Sequence, residues 1–336
     1  MPAFPRIHGT VLLLVAWLAL PGWAAAWEMV PWDSPRKGRK PPPNLTAVAI
    51  PDRDHAFIGT SDGRLLRWDG NRMSAMDHPA KVKPRKFVVN APDDVWVFGD
   101  DALSLHYDGR AWTRVNNPLT RRKRSEGRLW GAGCAAPDRC FAGTRDGRLI
   151  EWDGKEWRHA LSPAGKARIY GMAFASRRSG WMVGNGFFAR WDGARWEKAD
   201  MRDVPRMYDV VLAGNGRGWA VGDHGAVFEY DGTAWKKTDV PGSFFRLRAV
   251  ACASPTDCWA AGAAGAVFGW DGARWQRTRL GTPERLTAVA MRDGQALLAG
   301  DRGTLFRRRP SPTPPEPPAA AASSLPPEPP APPKSP

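Results

Sequence analysis

Seven apolar runs along the chain end in glycine, at Gly59, Gly99, Gly143, Gly184, Gly222, Gly262 and Gly300, at intervals of 38 to 44 residues. Six of them are followed by a second apolar run that closes in an aromatic-Asp-Gly turn: Trp68-Asp69-Gly70, Tyr107-Asp108-Gly109, Trp152-Asp153-Gly154, Trp191-Asp192-Gly193, Tyr230-Asp231-Gly232 and Trp270-Asp271-Gly272. The runs are too short for helices and are rich in β-branched and aromatic residues between glycine-bearing turns. One repeat reads as strands at Tyr208–Leu212, Trp219–Val221, Val227–Tyr230 and Trp235–Thr238, the last two joined by the tight Asp231-Gly232 hairpin. A period of about 40 residues holding four short antiparallel strands predicts a β-propeller.

The seventh repeat runs from Thr304-Leu305-Phe306 into Arg307-Arg308-Arg309-Pro310 without a Trp-bearing fourth strand. The missing piece sits at the other end of the chain, where Ala26-Trp27-Glu28-Met29-Val30 matches Ala111–Val115 and Ala234–Thr238. The expected fold is therefore all-β: a single seven-bladed propeller of four-stranded antiparallel blades, its last blade completed by the N-terminal strand. Such closure removes the open sheet edges that invite aggregation.

Arg6 and His8 precede an apolar stretch from Val11 to Leu20, followed by Pro21-Gly22 and the small residues Ala24-Ala25-Ala26. This order predicts a signal peptide over residues 1–26, cleaved after Ala26, and a periplasmic or secreted protein. An uncleaved membrane anchor is the alternative. Cysteine usage agrees with export: Cys134 and Cys140, and Cys252 and Cys258, occupy the same place in the third and sixth repeats, facing each other across the turn from first to second strand. Two disulfides are expected, with metal sites the competing reading although no His stands at ligand spacing. Residues 27–309 form the propeller, and 310–336 read as a disordered Pro-rich tail, a spacer or a ligand for a partner's groove.

The segment Gly218-Trp219-Ala220-Val221-Gly222-Asp223-His224-Gly225-Ala226-Val227, with Asp231-Gly232 and Trp235 after it, resembles repeats of the photosystem II stability and assembly factor family and its non-photosynthetic bacterial relatives. It is also similar, more distantly, to the Asp-box repeats of sialidase-type propellers. An Asp-box has Ser or Thr two residues before its Asp, where this chain has Arg67, His106, Glu151, Arg190, Glu229 and Gly269. Sialidase chemistry is not carried over. The assembly-factor resemblance implies a role in maturing or stabilising a membrane protein complex.

No metalloprotease, nucleophile-elbow, P-loop or calcium-loop motif is present, and the six histidines are scattered. The repeated turn aspartates read as hairpin formers that bond local amides. A non-enzyme without cofactor or metal is expected. Charge separates the two faces. The formal net charge is +15, and the links between blades, with the second-to-third-strand turns, emerge together on one face. Across links 31–44, 77–86, 116–128, 161–168, 200–206, 239–248 and 279–285 there are 21 Lys or Arg against 7 Asp or Glu. The basic-face candidates are Arg36, Lys37, Arg39, Lys40, Lys81, Lys83, Arg85, Lys86, Arg121, Arg122, Lys123, Arg124 and Arg128.

A face of this kind steers an anionic partner. An acidic protein surface, an anionic envelope polymer and peripheral association with lipid headgroups all fit, while export argues against nucleic acid. At the start of the first strands, Phe87, Trp130, Tyr170, Tyr208 and Arg248 align with Thr46 and Thr287 and read either as a platform at the channel mouth or as packing between blades. The expected function is a monomeric binding or assembly platform. The alternative class is a glycan-binding or glycoside-hydrolysing, sialidase-like propeller.

Overall fold

Each repeat becomes one antiparallel sheet because its four runs are separated by turns too tight for any other connection. The computed structural model describes residues 27–31, 41–80, 83–120, 127–214 and 216–308. The expected signal peptide and Pro-rich tail lie outside them, as do Arg36, Lys37, Arg39, Lys40, Lys81, Arg121, Arg122, Lys123 and Arg124. Among the described residues, twenty-eight strands, β1 to β28 in chain order, make seven four-stranded sheets. The innermost strands are β2 (Leu45–Ala49), β6 (Pro84–Ala91), β10 (Leu129–Ala136), β14 (Ile169–Ser176), β18 (Met207–Leu212), β22 (Leu247–Ser254) and β26 (Leu286–Arg292). They open blades 1 to 7 in that order and line a central channel.

Blade 7 closes the ring as the sequence predicts. Strand β1 (Trp27–Met29) pairs antiparallel with β28 (Leu305–Arg308), Trp27 opposite Arg308 and Met29 opposite Phe306. The Arg307 Nε donates to Glu28 at 3.0 Å, and the Val30 amide donates to the Leu305 carbonyl at 2.8 Å.

Between blades the core is aromatic. The fourth-strand tryptophan of one blade stands edge-on against a second-strand ring of the blade before: Trp112 on Phe57, Trp157 on Trp96, Trp196 on Phe141, Trp235 on Trp181, Trp275 on Trp219 and Trp27 on Trp259. Centroids lie 5.0–5.6 Å apart at 67–90°, the edge-to-face geometry that aromatic quadrupoles favour. Among the described residues only the seam between blades 7 and 1 departs: Leu297 and Met73 stand in the two positions, in one cluster with Trp68.

On the face opposite the links, both expected disulfides are formed, Cys134–Cys140 and Cys252–Cys258, with Cα atoms 3.9 and 4.0 Å apart. They fit a location outside the cytoplasm. No helix among the described residues is long and apolar enough to cross a membrane.

Candidate functional site: the channel mouth

Where the chain enters each first strand, one backbone position recurs. The carbonyls of Asn44, Lys83, Arg128, Arg168, Arg206, Arg246 and Arg285 each accept the amide of the equivalent turn residue, Ser61, Asp100, Arg145, Asn185, Asp223, Ala263 and Asp301, at 2.8–3.3 Å. Identical bonding fixes their equivalence. Six of the seven are cations, so six consecutive blades place a positive side chain at the same height around the mouth.

One register inside, after the residue that pairs with the turn, come Thr46, Arg85, Trp130, Tyr170, Tyr208, Arg248 and Thr287. This corrects the expected ring at one place: Arg85, not Phe87, stands in line with Trp130. Strand β6 begins at Pro84 opposite Gly99, the place that Leu45 and Leu129 hold in their blades, and this puts Phe87 two residues deeper than Arg85. Phe87 is 7% exposed and packs with Phe57 and Trp112 in the wedge between blades 1 and 2. Its side of the strand still borders the channel.

The corrected ring is a continuous ladder over five blades. The Arg85 guanidinium lies 4.6 Å from the centre of the Trp130 ring, Trp130 is 5.2 Å from Tyr170, Tyr170 is 5.1 Å from Tyr208, and Arg248 lies 4.8 Å over Tyr208. Cation–π attraction caps the aromatic stack at both ends. Tyr170 and Tyr208 are buried against their neighbours and also form part of the channel wall. At the two threonine positions the hydroxyls tie blades together, Thr46 Oγ1 donating to the Pro84 carbonyl at 2.6 Å and Thr287 Oγ1 to the Leu45 carbonyl at 2.7 Å.

One step deeper, Lys86 of blade 2 reaches across the channel to Asp209 of blade 5, Nζ to Oδ1 2.8 Å. Asp209 is 5% exposed and also accepts the Val250 amide at 3.2 Å. Beneath this bridge the walls turn apolar, with Val48, Ala132, Met172, Val210, Val250 and Val289. The whole channel has a volume of about 860 Å³.

The mouth cations are unequally compensated. Asp100 is shared by Arg85, at 2.5 Å, and Arg128, at 3.8 Å. Asp223 takes Arg246 at 2.5 Å, Arg206 at 3.6 Å and the Tyr208 hydroxyl at 3.1 Å, and Asp301 takes Arg285 at 2.9 Å. Burial, then the neighbouring Arg85, push the Lys83 ammonium below its ordinary value. Burial likewise lowers Arg248, with Arg285 and Arg246 adding to the effect against a partly offsetting Tyr208.

On the opposite face, carboxylates beside the first-to-second-strand turns are engaged locally: Asp52 with His55 Nδ1 at 2.9 Å, and Asp94 with His106 Nε2 at 2.8 Å and Asn90 Nδ2 at 3.0 Å. Of the basic-face residues, the structure brings Lys83, Arg85, Lys86 and Arg128 together at the mouth. Sequence reasoning did not single out Arg168, Arg206, Arg246 and Arg285. Their signal was a cation placed directly before the apolar start of each first strand.

No family model matches this chain, and no curated protein matches it. Solved structures do. The chain shares its fold with YCF48, a photosystem II assembly factor. A structure of YCF48 bound to D1 peptide has 16% identity and a TM-score of 0.66, covering 84% of this chain and 96% of that one. YCF48 from Cyanidioschyzon merolae has 16% identity and a TM-score of 0.65, covering 85% and 99%. A catalytically inactive virginiamycin B lyase from Staphylococcus aureus with quinupristin has 10% identity and a TM-score of 0.71, covering 84% and 99%. At such identities the likeness is one of fold, and a binding protein and an enzyme stand side by side in it.

Proposed function

We propose that this chain is an exported, non-enzymatic binding and assembly platform whose link-side face engages an anionic partner, the acidic surface of a membrane protein complex. The observation that carries the reading is the recurrence of a cation at one backbone position in six consecutive blades around the channel mouth. Packing does not call for charge there, since Asn44 fills the same position in blade 1 with the same backbone bond. A concentric array of arginines focuses positive potential at a concave opening and steers an acidic partner to it. Two further facts support the reading: a protein of this fold is solved with a peptide bound, and the disulfides fit a compartment outside the cytoplasm.

The test is crosslinked capture from the cell envelope with the full chain as bait, compared with Arg128→Glu/Arg206→Glu. Recovery of the partner should fall at least tenfold in the variant while its Tm stays within a few degrees. Recovery by the unaltered chain should also weaken as salt rises, because exposed charges are screened within about 10 Å at 0.1 M salt. Capture indifferent to both charge reversal and salt would overturn the proposal, and capture of a polysaccharide in place of a protein would move the function to the glycan-binding class.

A further inference from the structure

We propose that the channel mouth holds a compact ligand bearing two or more phosphate groups, seated on the axis of the ring. The inference takes only the sign of the partner's charge from the platform reading and adds the ligand's chemistry and place.

Geometry sets the ligand's shape. Cations that line the channel, Lys83, Arg85, Arg128, Arg248 and Arg285, come from four blades around one opening, so they favour concentrated charge over an extended chain, which would need cations in a row. Depth is limited by the Lys86–Asp209 bridge, which crosses the channel, and by the apolar walls beneath it. Anionic groups therefore stay at the height of the arginines, above a side wall made by Trp130, Tyr170 and Tyr208.

Charge sets its chemistry. Asp100, Asp223 and Asp301 are already taken up by Arg85, Arg128, Arg206, Arg246 and Arg285. Lys83, Arg168 and Arg248 make no ion pair with any described residue, and the Arg248 Nε is buried without a hydrogen-bond partner there. Burial is the chief cause of the downward shifts at Lys83 and Arg248, and neighbouring arginines add to it. Guanidinium forks pair with phosphate through two parallel N–H donors. A phosphate group brings up to two charges where a carboxylate brings one, so a small ligand satisfies several forks at once. The channel, about 860 Å³ over its whole depth, opens above the bridge onto Lys83, Arg128, Arg248 and Arg285.

Calorimetry of the full chain with sodium tripolyphosphate, and with citrate as a carboxylate of similar charge, tests the site. Tripolyphosphate should bind one-to-one, at least tenfold tighter than citrate. Lys83→Ala/Arg128→Ala, both in the channel lining, should weaken it at least fivefold with an unchanged Tm, whereas Arg110→Ala/Lys155→Ala on the opposite face should leave it unaltered. Absence of saturable binding, equal affinity for citrate, or full affinity in Lys83→Ala/Arg128→Ala would each overturn the proposal. Displacement of tripolyphosphate by phosphorylated lipopolysaccharide and not by its dephosphorylated form places the phosphate on an envelope polymer, and displacement by neither places it on a free solute. Charge-dependent capture of a protein partner without tripolyphosphate binding sinks this site alone. Tripolyphosphate binding without charge-dependent capture sinks the platform alone.

Discussion

The two faces of the ring are made by the same repeat, and their recurring polar side chains meet opposite fates. On the hairpin face, Asp69, Asp108, Asp153, Asp192, Asp231 and Asp271 each accept two backbone amides at 2.7–2.9 Å. The following glycines take left-handed φ, +101° at Gly232, as the tight turn requires. Two disulfides and an Arg177–Asp138 pair between blades 4 and 3 lock the same face. At the mouth, by contrast, the recurring side chains are cations, and two of them, Lys83 and Arg168, have no acidic partner among the described residues. Recurrence by itself marks a repeat. On the platform reading, recurrence that the fold leaves uncompensated marks where a partner docks.

The severest test of the comparison breaks the ring that holds the two faces in register. Deleting Trp27–Met29 removes the β1 pairing and the Trp27–Trp259 contact, and truncating a packed Trp alone costs about 3 kcal/mol or more. The variant should melt several degrees lower and associate through the exposed edge of β28, and capture at the mouth should fall with it. A monomeric elution profile with an unchanged Tm would show that β1 contributes no closure.

A smaller effect separates the faces. Reducing both disulfides should cost about 2 kcal/mol each by the chain-entropy estimate for loops this short, and it should leave ligand binding at the mouth intact because both bridges sit at the far ends of their strands. The readouts are Tm and binding with and without reductant. Loss of binding at full stability would mean the faces are coupled, contrary to the picture drawn here.

Legibility in the sequence follows the range of the interactions. The aspartate turns are encoded within four residues, and the Cys pairs within seven, so both are plain from the string. Strand β1 is plain despite lying 279 residues from its partner, because Trp27 carries the blade's own signature. The mouth is only half legible. Arg85 takes the place expected for Phe87 because Pro84 claims the first pairing position, which hydrophobic pattern alone does not reveal. The Lys86–Asp209 bridge joins residues 123 apart whose blade-mates are Ala and Gly, and it leaves no trace in either repeat. The links differ in length, so their summed charge does not show that the cations share one backbone position.

The smallest expected effect concerns the hairpin face at low pH. Backbone amides hold the turn carboxyls of Asp69, Asp108, Asp153, Asp192 and Asp271 below the ordinary aspartate range, and at Asp231 the Lys236 ammonium lowers it further, ahead of Thr233 and the local amides. The unfolded chain then takes up protons first, near the usual aspartate value of about 3.9. The stabilisation is therefore complete above that pH and is lost as pH falls through the lower folded-state values. Replacing all six by Asn keeps a side-chain acceptor for the turn but removes the titration. The wild type should be the more stable at pH 7, and the gap in Tm should narrow as pH falls below 4. Because the turns lie on the far face, tripolyphosphate affinity at pH 7 should be the same in both chains. A gap that stays constant down to pH 2.5 would mean that the amide bonds hold neutral and charged carboxyls alike, and that the hairpin face is fixed by turn geometry without its charge.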